Sequence, residues 1–285
     1  MRNDKLIRRI RTGSCDNISE RRRMRRAVLC MACLFVIASV VSCGNSYNIQ
    51  GSSDVASLDG RMLYLKVYQD NEYKSIDSCD IVHGQFRFNG SIDTIRMGSL
   101  FMDRTGIMPV VLEDGNISVK INNTQRRVSG TPLNDKLFDF LDDYTQLENQ
   151  YDDLKHKFSQ AIMDGENEAD INRRLSLEAA QIVKDQDKLV TTFIADNFDN
   201  VLGPGVFFLV TAGYRYPELQ PWIEDLMSRA TDKFKNDAYV REYYDKAKKN
   251  ETILNGTYSP DDTAIPPEDI LDYSGPAPGD LVQPK

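Results

Sequence analysis

The chain has little of what most enzyme sites are built from. Its 285 residues contain two histidines, His83 and His156, one tryptophan and five cysteines. A zinc site needs three or four converging ligands, so two histidines far apart in sequence, one at a candidate turn and one among lysines, read as surface residues and we expect no metal site. Three of the cysteines (Cys15, Cys30, Cys33) fall within the first 42 residues, and no Cys-x-x-Cys occurs after them. Beyond residue 42 a dithiol redox centre of that type is therefore excluded. The sequence has no Gly-x-Ser-x-Gly, no phosphate-binding glycine loop and no His-Glu-x-x-His, so none of those nucleophile, phosphate or metalloprotease signatures is available. A long hydrophobic run is missing too. The longest, Ala27–Val41, has fifteen residues, whereas crossing a bilayer takes about 20.

That run carries the clearest message in the chain. Arg21, Arg22, Arg23, Arg25 and Arg26 precede it, small residues close it, and Gly44-Asn45-Ser46 follows, which is the basic, apolar and small order of a secretory signal. Its end, Val40-Val41-Ser42-Cys43, resembles the lipobox of bacterial lipoproteins. The resemblance implies a lipidated Cys43 as first mature residue and a membrane held through its acyl chains, several of which anchor stably where one would not. Cys30-Met31-Ala32-Cys33 lies inside the signal and has no redox weight. A second basic stretch (Arg2, Lys5, Arg8, Arg9, Arg11) comes earlier, and Met1 and Met24 both stay open as starts. We expect residence in the bacterial cell envelope, on the outer membrane facing the periplasm, because the acidic run associated with surface export in some lipoproteins does not follow Cys43; the cell-surface face stays open as the alternative.

Residues 1–42 hold 10 of the 35 Lys/Arg and 3 of the 43 Asp/Glu, so the remainder has a net charge of −15. Nucleic-acid affinity rests on Lys and Arg neutralising phosphates, and this surplus of acid excludes nucleic acid as the expected partner. With Cys43 lipidated, Cys79 has no thiol partner. It reads as a small, inert residue in a strand, and the fold must be stable without disulfides.

From Tyr47 to Ser129 the pattern is that of about seven short strands. Leu63, Leu65 and Val67 alternate with Met62, Tyr64, Lys66 and Tyr68, a period of two. Two hairpins are expected, one turning at His83-Gly84 between Ile76–Val82 and Gln85–Phe88. The other turns at Glu113-Asp114-Gly115-Asn116, where Asp-Gly supplies the positive φ of a tight turn. Leu100–Asp103 is a further candidate strand.

The period changes at Ser129-Gly130-Thr131-Pro132. Thr131 stands where a helix cap belongs and Pro132 at the first helical position. Leu133, Leu137, Phe140, Tyr144, Leu147, Tyr151, Leu154, Phe158 and Ile162 then recur every three or four residues, one stripe on a long helix. Asp139, Asp142, Asp143, Asp152 and Asp153 fall off the stripe and read as a solvated face rather than an acid/base cluster. Asp164-Gly165 ends this helix. A second pattern over about 169–198 (Ile171, Leu175, Ile182, Leu189, Phe193) predicts its antiparallel partner, and shorter helices follow around Phe207, Trp222 and Tyr243. After about Gly256 proline and acid dominate, a composition expected to be disordered.

The fold class is thus α+β: an N-terminal antiparallel β sandwich or curved sheet, then a helical domain with a long antiparallel helix pair. The expected organisation is a signal over 1–42, a β domain over 43–130, a helical domain over 131–255 and an acidic tail over 256–285. Tyr47-Asn48-Ile49-Gln50-Gly51, Leu63-Tyr64-Leu65, Ser75-Ile76-Asp77-Ser78, Gly84-Gln85-Phe86-Arg87-Phe88-Asn89-Gly90, Val111-Leu112-Glu113-Asp114-Gly115 and Ser129-Gly130-Thr131-Pro132-Leu133-Asn134 together resemble the uncharacterised β-domain that follows the lipobox in many bacterial envelope lipoproteins. In many of those relatives a helical segment and a thioredoxin-like (AhpC/TSA-type) domain come next. Here only about 30 residues remain after the helices, fewer than a typical domain, so no oxidoreductase residue carries over. The expectation is a non-enzymatic interaction module with an envelope protein as partner and no cofactor. The alternatives are an accessory role in periplasmic thiol-redox or stress handling, and binding of a small molecule or glycan through the tyrosines (Tyr64, Tyr68, Tyr73, Tyr214, Tyr216, Tyr243, Tyr244).

Overall fold

Alternating apolar residues make the strands, and the computed structural model of the protein places eight of them. It describes residues 46–69 and 72–254; the expected signal, Cys43 and the acidic tail lie outside the described residues. The described residues belong to one compact unit. Its strands are β1 (Ser46–Ser53), β2 (Met62–Gln69), β3 (Glu72–Asp80), β4 (Gln85–Ser91), β5 (Arg96–Met102), β6 (Thr105–Leu112), β7 (Gly115–Ile121) and β8 (Arg126–Ser129). They form two four-stranded sheets, ordered β4-β1-β7-β8 and β3-β2-β5-β6. Ile49, Phe88, Ile117 and Val128 of the first sheet and Leu63, Leu65 and Leu100 of the second share one buried core. Each such large side chain contributes about 1.5–3 kcal/mol on leaving water.

Both expected hairpins need correction. His83 and Gly84 do turn the chain, with φ of 52° and 69°, and Val82 and Gln85 exchange both backbone hydrogen bonds at 2.9 and 3.0 Å. The strands on either side nevertheless part at once, β3 to pair with β2 and β4 to pair with β1. The Asp114-Gly115 turn likewise carries the chain from one sheet to the other, since β6 pairs with β5 and β7 with β1 and β8. A tight turn fixes local backbone direction, and the second strand then goes to whichever sheet buries its apolar face. The β1/β7 pairing is parallel, so the sandwich is not wholly antiparallel. The hairpins present are β2/β3, β5/β6 through Asp103 (φ 54°) and Arg104, and β7/β8.

Two of the sequence motifs explain themselves in β1 and β4. Gly51 faces Phe86 and Tyr47 faces Gly90 across the antiparallel pair. A β-carbon on Gly51 would lie 2.0 Å from the Phe86 ring, and one on Gly90 would lie 2.5 Å from the Tyr47 hydroxyl oxygen. Each ring lies over the opposite glycine, filling the gap a missing side chain leaves in a sheet. The motif residues are therefore packing partners.

Among the described residues six α-helices follow: α1 (Pro132–Met163), α2 (Glu168–Ala195), α3 (Leu202–Thr211), α4 (Pro221–Arg229), α5 (Asp232–Lys235) and α6 (Ala238–Leu254). Thr131 is at the N-cap as expected, yet its side chain caps no amide. Glu113, buried in the β6–β7 turn, accepts from the amides of Leu133 (2.8 Å) and Asn134 (3.1 Å) instead. A carboxylate at this end also suits the helix dipole. Asn134, fully buried, pairs with the free edge of β6: its Oδ1 accepts from Val111 N–H and its Nδ2 donates to Val111 C=O, both at 2.8 Å. Arg127 of β8 adds ion pairs with Asp139 and Asp142.

α1 and α2 run antiparallel around Asp164-Gly165, and Asn167 caps α2 by accepting from Ala169 and Asp170. The stripe expected on α1 holds at Leu137, Phe140 and Leu154, but Tyr151 and Ile162 are 45% and 43% exposed. The outer part of the pair closes only a small core of its own, made of Leu154, Ala161, Ile171, Leu175 and Ile182. Tyr151 and Ile162 belong to neither core. Among the described residues no helix is long and apolar enough to cross a membrane.

Candidate functional site

The second sheet keeps aromatic residues on the face turned away from the first. Tyr68 and Tyr73 are cross-strand partners, with rings 5.3 Å apart and edge to face at 71°. α3 and α6 lie against that face. Phe208 reaches Tyr68 at 4.8 Å and Tyr239 at 4.8 Å, while Tyr73 meets Phe101 at 4.7 Å. Between sheet and helices stays a cleft of about 780 Å³, within the size range of small-molecule sites. Val67, Met97, Val201, Pro204 and Leu209 complete its apolar wall.

Among the described residues four charged ones line the cleft, and three are engaged in holding it together. Lys233 Nζ donates to the Asp199 carbonyl at 2.7 Å. The Asp199 carboxylate accepts from Thr231 Oγ1 at 3.1 Å. Asp237 accepts from the Tyr239 and Val240 amides at 3.1 and 3.2 Å, capping α6. The fourth is Arg96, half-buried at the start of β5, and no described residue hydrogen-bonds or ion-pairs with its side chain. Burial pushes the Tyr239 hydroxyl well above the usual phenol range, and it shares a hydrogen bond of 3.0 Å with Thr211. Tyr68 is raised as well, by burial first and then by the charge of Glu242. Both hydroxyls therefore stay neutral at ordinary pH.

The tyrosines singled out in the sequence separate into different settings. Tyr68 and Tyr73 line the cleft. Tyr243 is buried and bonded to the Glu218 backbone, Tyr214 shares Gln220 with Trp222, Tyr244 lies under Lys248 Nζ at 4.0 Å, and Tyr216 is exposed. Tyr64 sits further along the same outer face, with Lys66 Nζ 5.7 Å from its ring. His83 and His156 are exposed and distant in the fold, one on the β3–β4 turn and one on α1. Asp139 and Asp142 pair with Arg127, Asp152 with Lys155 and Asp153 with Lys157, while Asp143 faces solvent. Among the described residues no group of histidine, cysteine and acidic side chains is arranged to hold a metal. Cys79 is a free thiol on β3, half-buried against the core. Burial, more than the nearby Asp77 and Asp80, pushes that thiol up, against a lowering hydrogen bond from the Arg87 backbone.

Sequence reasoning did not single out Arg96, Phe208 or Tyr239 as cleft residues. Nothing local marks them, since they meet only after α3 and α6 fold onto the sheet.

Comparison with known proteins adds a family for the β part alone. No curated protein and no solved structure matches the chain. Residues 47–137 match a family model described as Domain of unknown function (DUF4369). The matched stretch includes both sheets and the first residues of α1, so it takes in Glu113 and Asn134, the two side chains that join that helix to β6. Residues 47–137 of this chain are thus similar to that family of unknown function.

Proposed function

We propose that this chain is a lipid-anchored bacterial envelope protein, held to the membrane through Cys43, and that its folded part acts by binding rather than by catalysis. The signal-like start and the lipobox resemblance support the anchor. The observation that carries the binding reading is the cleft between the second sheet and α3/α6, an apolar and aromatic space of about 780 Å³. Its polar groups are mostly committed to the scaffold, with Asp237 capping a helix and Asp199 and Lys233 fastening α5. Pockets of this size, apolar with few polar groups, are where small molecules bind. A partner protein in the envelope would then be engaged by the loaded or empty module. The redox-accessory alternative draws no support from Cys79, because a raised thiol in a half-buried strand is a poor nucleophile.

Two measurements test the reading. Cys43→Ala should abolish labelling by a fatty-acid analogue and free the protein from the membrane fraction; unchanged labelling refutes the anchor. Nile red, a neutral apolar dye, should bind residues 45–285 saturably at one site. Ala238→Trp, which fills a lining position at the exposed start of α6, should remove that binding at unchanged melting temperature. Dye binding untouched by the substitution refutes the cleft as the site.

A further inference from the structure

We infer that the cleft takes an amphipathic monocarboxylate, its apolar body along the aromatic wall and its carboxylate on Arg96. The inference rests on the binding reading above and names the chemistry of the ligand.

Three features lead there. First, the wall is apolar, so the body of the ligand must be apolar to repay the removal of water from the half-buried Met97, Val201, Pro204 and Phe208. Second, the rings are packed against each other edge to face. Tyr68 with Tyr73 at 71°, Tyr73 with Phe101 at 63° and Phe208 with Tyr239 at 75° leave few ring faces open. A sugar stacks on an open ring face, and here neighbouring ring edges occupy those faces, which argues against a glycan. Third, the lining charges sort themselves. Lys233, Asp199 and Asp237 already have partners, whereas the Arg96 guanidinium is half-buried with all five donors unused by described residues. A guanidinium matches a carboxylate through two parallel hydrogen bonds. Among the described residues the lining balances two cations (Arg96, Lys233) against two anions (Asp199, Asp237). That balance favours one negative charge over the two of a phosphate monoester.

The test uses residues 45–285, because the described residues among them belong to one compact unit whose cores are closed among its own elements. Octanoate, octanol and octylammonium compete with Nile red, and calorimetry measures each directly. Octanoate is expected to bind about tenfold more tightly than octanol, a difference of about 1.4 kcal/mol, and octylammonium most weakly. Arg96→Gln should bring octanoate to within about twofold of octanol while leaving octanol unchanged, and Arg215→Gln, at an exposed arginine outside the cleft, should change neither. Equal affinity for octanoate and octanol in the parent, or a preference that survives Arg96→Gln, overturns the carboxylate inference while dye binding keeps the cleft reading. Failure of the dye and of every octyl compound to bind overturns both.

Discussion

Replacing Asn134 by alanine is the sharpest test of how the β part and the helices are joined. Its side chain makes three bonds of 2.8 Å, two to the Val111 N–H and C=O and one to Thr131 Oγ1, from a position fully out of solvent. Alanine leaves both Val111 groups without partners on the free edge of β6. A buried polar group left unsatisfied costs about 1–3 kcal/mol, so two cost about 2–6 kcal/mol, and water entering the vacated space brings the expected loss to about 3 kcal/mol. Glu113→Ala frees the Leu133 and Asn134 amides and removes a charge from the helix start, an expected loss of about 2 kcal/mol. Glu113 Oε1 lies 3.4 Å from Asn134 Nδ2. The double variant should therefore lose less than the sum of the two by about 0.5–1 kcal/mol. Urea unfolding of residues 45–285, followed by far-ultraviolet circular dichroism and Trp222 fluorescence, reads each loss as a lower midpoint at constant slope. Gln150→Ala, on the exposed face of α1, should stay within about 0.5 kcal/mol of the parent. A loss under about 1 kcal/mol for Asn134→Ala at constant slope would refute the argument that this amide satisfies the strand edge.

Three further outcomes are expected. Gly51→Ala should destabilise by about 1–3 kcal/mol through its clash with the Phe86 ring, and most of that loss should disappear in a Phe86→Leu background; equal losses in both backgrounds would refute ring-over-glycine packing. Asp187 is half-buried and its carboxyl is raised by burial above 3.8, so the folded state holds this proton more tightly than the unfolded chain. Its contribution to stability is fully present below that value and lost as pH rises through the folded value; Asp187→Asn should raise the melting temperature at pH 7 and make no difference near pH 3. Because burial raises the Cys79 thiol, iodoacetamide should modify it more slowly at pH 7.5 than it modifies the same thiol in urea, and faster modification of the folded protein would show an activated cysteine.

Local features of the sequence determined the kinds of elements and several of their ends. Leu63, Leu65 and Val67 are buried as their alternation requires, Pro132 opens α1, Asp164-Gly165 closes it, and the antiparallel partner follows. These outcomes depend on side-chain period and on φ preferences, which act over a few residues. The acidic residues off the α1 stripe also faced solvent or surface cations, because a helix face is set by a spacing of 3.6 residues.

Strand pairing was not legible in the same way. His83-Gly84 and Asp114-Gly115 make turns, yet β4 parts from β3 and β7 from β6, and both flank β1 in the other sheet. Which edge a strand joins depends on where its apolar face is buried and on partners about 40 to 70 residues away. The helix cap shows the same limit, since Thr131 had the right residue type and place while Glu113, folded in from a strand turn, supplied the bonds. Arg96, Phe208 and Tyr239 converge on one cleft only through the docking of α3 and α6 on the second sheet. The sequence by itself determined the strand and helix periods and the turn positions. Tertiary structure alone decided the sheet order, the carboxylate that caps α1 and the cleft with its unpartnered guanidinium, because each is made by contacts between residues distant along the chain.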